Sequence, residues 1–382
     1  MEHADVIVLG VGAMGAAACW QLAERGKRVI GIEQFGLGHD RGSSHGETRI
    51  IRRSYFEHPD YVPLLNRAYE MWGQLEEACG ARLFHRSGLL MLGPPEGDVI
   101  RGVLAAAEKH GIDLQHGLSR DTETYDGGYI HPGFRLSPGH TALFEEDAGY
   151  LEVEKCVTAM WSRAEATGAK LRSDEAVLDW RSSSAGVEVQ TSAANYLANR
   201  LIITAGAWSG ALLRLPPLKL DVMRRVQLWF QTYPVVGWTD RVQCLEYPAF
   251  CVDEGERFFY GMPSPGRNML KVALHHGRRD VVDDPSHVDR SLRPGEADIV
   301  EDFVRRTLHG VTPRAVEHSV CMYTMSQDGH FVIDRHPEHE NVAFAAGFSG
   351  HGFKFAPVIG SILADLALTG TTSEPIGFLR LR

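Results

Sequence analysis

Gly10, Gly12 and Gly15 stand in the run Gly10-Val11-Gly12-Ala13-Met14-Gly15, and an acid, Glu33, follows. The run begins where the apolar stretch Val6–Leu9 stops. It opens an alanine-rich segment that reads as a helix to Arg25, with Gly26 as its stop. Val29–Ile32 reads as a second strand ending on Glu33. This is strand, glycine turn, helix, strand, acid. The first glycine permits the tight turn, the second lets backbone approach a pyrophosphate, and the third lets helix pack on strand. The helix start offers unpaired N–H groups and a positive dipole end to that phosphate. Glu33 falls where a ribose hydroxyl is held, and a carboxylate there disfavours a 2′-phosphate. The unit predicts dinucleotide binding and does not separate NAD from FAD.

Four further groups carry chemistry. Lys271, Ala273 and His275 alternate with Val272 and Leu274, so in a strand they share one face. Their ends lie roughly 13 Å apart, comparable to the length of a flavin ring. By spacing alone this is a solvated polar face over a core. Arg49 and Arg52 share a face if their segment is helical, and paired guanidiniums suit a carboxylate. Gly347 to Lys354 places three glycines and a cation between a strand and a helix. Backbone amides, dipole and charge there suit a substrate carboxylate or the electron-rich edge of a flavin. Cys321, in Val320-Cys321-Met322-Tyr323-Thr324, reads locally as a small buried hydrophobe.

These groups need a frame. Residues 34–58 read as one long loop rich in Gly, Ser and His. Helices are predicted from Pro63 to Cys79, Ile100 to His110, Val153 to Thr167, Pro294 to Leu308 and Ala356 to Leu368. Leu171–Trp180 and Val187–Thr191 read as paired strands, and Leu201–Trp208 as a buried strand running into a small-residue turn. From Leu218 onward, aromatic-rich strands predict a second, mostly antiparallel sheet, and Val342–Ala346 returns to the first. The fold class is therefore α/β with a mixed, inserted part.

The chain has 382 residues and a net charge of −10, which argues against nucleic acid or an anionic membrane surface as partner. No apolar run approaches the ~20 residues of a membrane span. The chain enters a strand almost at once, leaving no room for a signal peptide. Cys19, Cys79, Cys156, Cys244, Cys251 and Cys321 are scattered, with no zinc or CxxC spacing, as expected of reduced thiols in a cytoplasmic protein. No metal-ligand pattern appears among the histidines.

Taken together, these stretches resemble the monomeric sarcosine oxidase and N-methyltryptophan oxidase family, flavoproteins of the D-amino-acid-oxidase type. The resemblance rests on the glycine run, His45-Gly46-Glu47-Thr48-Arg49-Ile50-Ile51-Arg52, Tyr260-Gly261-Met262-Pro263, Cys321-Met322-Tyr323, Phe331-Val332-Ile333-Asp334 and Gly347 to Lys354, in order along nearly the whole chain. It implies a Rossmann-like FAD-binding domain of glutathione-reductase type at 1–85, 145–217 and 320–382. An antiparallel-sheet substrate domain is then inserted as 86–144 and 218–319. It implies FAD held covalently through Cys321, with Arg52 and Lys354 gripping the substrate carboxylate. Lys271 becomes the residue that promotes reaction with oxygen, and Arg49 and His45 lie over one flavin face. Tyr260, His275 and Tyr323 become cavity residues, Tyr55 and Tyr61 entrance aromatics, and Cys251 a pocket wall. Cofactor contacts are implied at Gly10, Val11, Gly12, Ala13, Met14 and Gly15. Others are implied at Glu33, Gln34, Ser43, Thr48 and Arg49, at Val177 and Ala205, and at Phe348, Gly350, His351, Gly352 and Lys354. The implied reaction oxidises a secondary-amine amino acid with O2 to an imine and H2O2, in a monomer.

There are departures. Ser44 stands where the family commonly has histidine, Glu47 where Asp is usual, and Cys251 where the sarcosine enzymes carry a bulkier Met. A smaller side chain at 251 is expected to leave room for a substrate larger than sarcosine, and an oxidase of a cyclic imino acid, proline or pipecolate, is an alternative reading. Competing readings are a flavin dehydrogenase using another acceptor, a nicotinamide-dependent dehydrogenase and a flavin-loaded sensor.

Overall fold

A computed structural model describes residues 1–117, 133–135, 137–233 and 247–382. Cys244 lies outside the described residues. Strand Glu2–Leu9 runs between Val29–Ile32 and Asn195–Ile203, parallel to both. Lys170–Arg172 extends this sheet beyond Val29–Ile32. The far half of Asn195–Ile203 pairs in parallel with His339–Ala346, and its first half pairs antiparallel with Gly186–Thr191. The end of the chain thus returns to the nucleotide-type sheet. Helices Ala13–Glu24, Val62–Cys79, Val153–Ala166 and Ala356–Thr369 cover one face in a continuous apolar cluster. Their apolar residues recur at helical spacing, and burying them holds the layer to the sheet.

Among the described residues the second sheet has eight strands. In order they are Val311–Met325, Asp221–Thr232, Met269–His276, Phe258–Pro263, Ala249–Asp253, Leu89–Gly93, Thr141–Glu145 and Gln115–Gly117. Every pairing is antiparallel except that of Ala249–Asp253 with Leu89–Gly93. Helix Asp298–Thr307 packs on one face, with Phe259 and Phe303 stacked at 4.1 Å. The strand Val311–Met325 carries Cys321 and Tyr323 to the junction of the two sheets.

Three local expectations are corrected. The stretch 34–58 is not all loop, because Thr48–Ile51 is a strand paired with Gly149–Glu152. Arg49 and Arg52 therefore do not share a helical face. Leu171–Trp180 is not one strand. Lys170–Arg172 joins the first sheet, and the chain turns at Asp174 (φ 57°) before Val177–Ser183 begins its hairpin. The alternating polar face at 271–275 is not solvated. Lys271 and Ala273 are fully buried and His275 nearly so, while Val272 and Leu274 point into the opposite core as expected.

Candidate active site

One cavity of about 460 Å³ runs from the glycine turn to the seam between the sheets. At its first end the chain prepares for phosphate. Gly10 has φ 79°, and a Cβ there would lie 2.7 Å from Ala205 Cα. A Cβ on Gly15 would lie 2.0 Å from the Gly10 carbonyl, so only glycine lets helix and turn meet. The indole N–H of Trp161 donates to the Val11 carbonyl at 2.9 Å and pins the turn from behind. Ser44 Oγ accepts the Ala13 amide at 3.1 Å, so this departure from the family pattern acts as a cap on the helix start. Glu33 accepts the Val11 amide at 2.8 Å, while its buried carboxylate still lines the cavity. His39 stands 3.5 Å from that carboxylate.

The other end is rich in cations. Arg49, Arg52 and Lys354 all line it. Arg52 is buried and its fork is engaged: Nη1 donates to the Ser54 carbonyl at 2.7 Å, and Nη2 to both carboxylate oxygens of Glu57 at 2.9 and 2.7 Å. Burial raises the Glu57 carboxyl, but Arg52, His351 and Lys354 outweigh it and hold the group below its ordinary value. Lys354 Nζ donates to the His351 carbonyl at 2.6 Å, and no carboxylate pairs with it among the described residues. Burial, then the charge of Arg52, pushes its ammonium down to about 7. The Tyr55 ring lies between the two cations, 4.4 Å from Arg52 Cζ and 5.1 Å from Lys354 Nζ. Both charges meet its π face, which lets them converge. His351 Nε2 donates to the Gly329 carbonyl at 3.0 Å, so its Nδ1 accepts from Tyr55 Oη at 2.5 Å.

The loop Gly347–Gly352 closes this end. Gly347, Ser349 and Gly350 all have positive φ, and a Cβ on Gly350 would lie 2.4 Å from the Tyr323 ring. Ser349 N donates to the Thr324 carbonyl at 2.9 Å, tying the loop to the strand of Cys321. Trp72 Nε1 donates to the Lys354 carbonyl at 2.8 Å. Tyr323 Oη and His275 Nδ1 are 3.0 Å apart, and burial raises both Tyr260 and Tyr323 while pushing His275 well down. All three are therefore neutral near pH 7. Cys321 is a buried free thiol on the cavity wall, with Arg49 Nη2 3.6 Å from Sγ.

Most expected residues converge here, and some do not. Gly10, Gly12, Ala13, Met14, Glu33, Gln34, Ser43, Val177, Ala205, Cys251, Phe348, Gly350, His351 and Gly352 line the cavity along with the groups above. Val11, Gly15, His45, Thr48 and Lys271 do not; they stand behind the lining. Tyr55 and Tyr61 are corrected as entrance aromatics, since both are wholly buried and neither lines the cavity. Burial, then Arg49, pushes His45 down to about 3, and its Nε2 has no partner among the described residues. Sequence reasoning missed Glu57 and missed Trp72 and Trp161 as donors to backbone carbonyls. A buried indole N–H must find an acceptor, which was the signal available.

The cavity suits FAD. A dinucleotide fits the glycine turn and Glu33, the lining continues unbroken to a thiol, and cations face the far end. A family model described as "FAD dependent oxidoreductase" matches residues 5–366, and the chain belongs to that family. It is an FAD-dependent oxidoreductase. The monomeric sarcosine oxidase of Streptomyces avermitilis is 40% identical over 378 residues, covering 98% of this chain and 96% of that protein. The N-methyl-L-tryptophan oxidase of Salmonella dublin is 31% identical, covering 99% and 98%. The structure of NikD, described as an unusual amino acid oxidase, superposes with a TM-score of 0.84 at 26% identity, covering 100% of this chain and 98% of that one. The motif resemblance and the fold class are thereby shown.

Proposed function

We propose that the protein oxidises secondary-amine amino acids, with sarcosine and other N-methyl amino acids as first candidates. The imine formed hydrolyses to an aldehyde and an amine, and O2 is reduced to H2O2. The observation that carries this reading is Lys354, a buried cation beside Arg52 that no carboxylate pairs with among the described residues. It calls for an anion of about the size of an amino-acid carboxylate. The relatives named above support the amine class.

Bound FAD supplies the two-electron acceptor for the C–H bond beside the nitrogen. The chain does the rest. Lys354, and Arg52 through the donors Glu57 leaves free, hold the carboxylate and so position that carbon. Arg49, Arg52 and Lys354 make a positive field that lowers the amine pKa and favours its neutral, oxidisable form. His275, Tyr260 and Tyr323 wall the reacting end. Cys321 is the attachment point for a thioether to the flavin, and Arg49 Nη2 lies 3.6 Å from its Sγ. Lys271 is the residue that assists oxygen. We further propose the division into 1–85, 145–217 and 320–382 against 86–144 and 218–319, a monomeric state and a cytoplasmic location. Among the described residues no helix is long and apolar enough to cross a membrane.

The test is an anaerobic panel of sarcosine, N-methyl-L-tryptophan, proline and pipecolate, followed by admission of air. Bleaching of the 450 nm band by one of them, with stoichiometric peroxide in air, is expected. A yellow protein that none bleaches would defeat the proposal. Bleaching without peroxide would make it a dehydrogenase.

A further inference from the structure

Lys271 is fully buried, and backbone rather than a carboxylate holds its ammonium. Nζ donates to the Gly46 carbonyl at 2.7 Å and to the Thr48 carbonyl, using two of its three protons. Between them Gly46 (φ 90°) and Glu47 (φ 63°) are both left-handed. Glycine adopts that conformation freely, whereas for Glu it costs roughly 1–2 kcal/mol. The neighbours of this turn explain how it is held. Glu154, at the start of helix Val153–Ala166, accepts the amides of Gly46 and Glu47 at 2.7 and 3.2 Å. The Glu47 carboxylate accepts from Trp229 Nε1 at 2.7 Å, Ser264 Oγ at 2.6 Å and Arg267 Nη1 at 2.7 Å. The Glu47 carbonyl accepts the Val153 amide at 2.7 Å. Trp229 is the cross-strand neighbour of Lys271, so the carboxylate is anchored to the strand pair that carries the lysine. A Cβ on Gly46 would lie 2.1 Å from Gln227 Oε1, so the turn is closed on that side too.

We propose that Glu154 and Glu47 are positioning residues for Lys271. They fix the turn whose two carbonyls orient its side-chain nitrogen, and they place two negative charges beside it behind the cavity wall. The consequence for oxygen rests on the role proposed above for Lys271. The charged and titratable groups facing the lysine are Arg49, Glu154, Glu47 and Cys321, with His45 adjacent and neutral. Burial, then Arg49, disfavours the ammonium, and Glu154 and Glu47 oppose that. Removing either anion therefore moves the loss of the proton to lower pH.

Glu154→Gln keeps the one oxygen that accepts both amides and loses only the charge, whereas Glu47→Gln loses the charge and one of two accepting oxygens. The readout is the holoenzyme labelled with ¹³C at the lysine ε-carbons, seven in all. The Lys271 resonance is the one absent in Lys271→Met. Each Gln variant should lower its titration midpoint by about one pH unit, a tenfold change in the protonation equilibrium. The pH above which the reduced enzyme reacts slowly with oxygen should fall by the same amount, with anaerobic bleaching by substrate changed less than about twofold. Glu47→Asp should restore both. An unmoved midpoint, or equal slowing of bleaching and reoxidation, would overturn the proposal. If Lys271→Met reacts with oxygen at the wild-type rate, the role of Lys271 falls, and the claim about its charge is then decided by the resonance alone.

Discussion

At the scale of single residues, the site is set by what burial does to charge. Lys354 sits among apolar and cationic neighbours, and its proton is lost near pH 7 rather than far above it. Below that pH it carries the charge that meets a carboxylate, and above it Arg52 is left to do so alone. Affinity for a substrate carboxylate, read as KM or as the Kd of a non-reacting analogue, should therefore weaken as pH rises through about 7. Lys354→Met should remove that dependence and weaken binding by roughly 10- to 100-fold, the worth of about 1.5–3 kcal/mol for a charged hydrogen bond. A variant whose Kd kept the wild-type pH profile would contradict this assignment. Cys321 is a different case, since nothing in its local sequence separates a cofactor tether from a core thiol. Its place on the cavity wall beside Arg49 is the observation that supports the tether proposed above. Acid precipitation should leave yellow colour in the native pellet, and Cys321→Ser should release it to the supernatant. Colour free in the native supernatant would end the covalent proposal.

At the scale of elements, strands and turns convert spacing into position. Lys271 and His275 share a face of Met269–His276, but the face is buried, because the segment around Gly46, Thr48 and Ile50 packs on it. Only His275 reaches the cavity. Arg49 and Arg52 reach it by another route. Arg49 projects from the strand Thr48–Ile51, and Arg52 lies just past its end, where the chain leaves strand geometry. The loop Gly347–Gly352 is the most demanding element. Gly350→Ala would set a methyl group against the Tyr323 ring at a positive φ. We expect a loss of about 1–3 kcal/mol in stability from strain of this kind, with lowered flavin content. Unchanged melting temperature and full flavin loading would show that the loop yields more readily than its contacts imply. Gly15→Ala should be worse for cofactor binding than for folding, because the clash is with the carbonyl of the phosphate turn itself. Flavin retained per chain is the quantity to measure.

At the scale of the whole molecule, the cavity is made by neither sheet alone. Leu9, Ile32 and Ala205 come from the ends of the parallel strands, and Cys251, Tyr260, His275 and Cys321 from the antiparallel sheet. A cofactor spanning both should couple them. Loading at a hundredfold excess over Kd stabilises the native state by about 2.7 kcal/mol. Cys321→Ser stripped of flavin should accordingly melt a few degrees lower than the same variant reloaded with FAD; equal melting temperatures would argue that the cavity is preformed and uncoupled. The dinucleotide unit was legible in the sequence because its logic is local: strand, turn, helix and acid are neighbours in the chain, and backbone sterics decide them. The helices and the alternation at 271–275 were legible for the same reason. The motif likeness carried the site residues further than spacing did. What the sequence did not decide is which polar groups meet. Glu57 on Arg52, Tyr55 between two cations, Glu47 and Glu154 around the turn that grips Lys271, and two tryptophans serving as backbone donors all join residues by burial and hydrogen-bond demand. Glu57 and Tyr55 lie within five residues of Arg52, but the other partners are far apart in the chain, so only the folded arrangement brings them together.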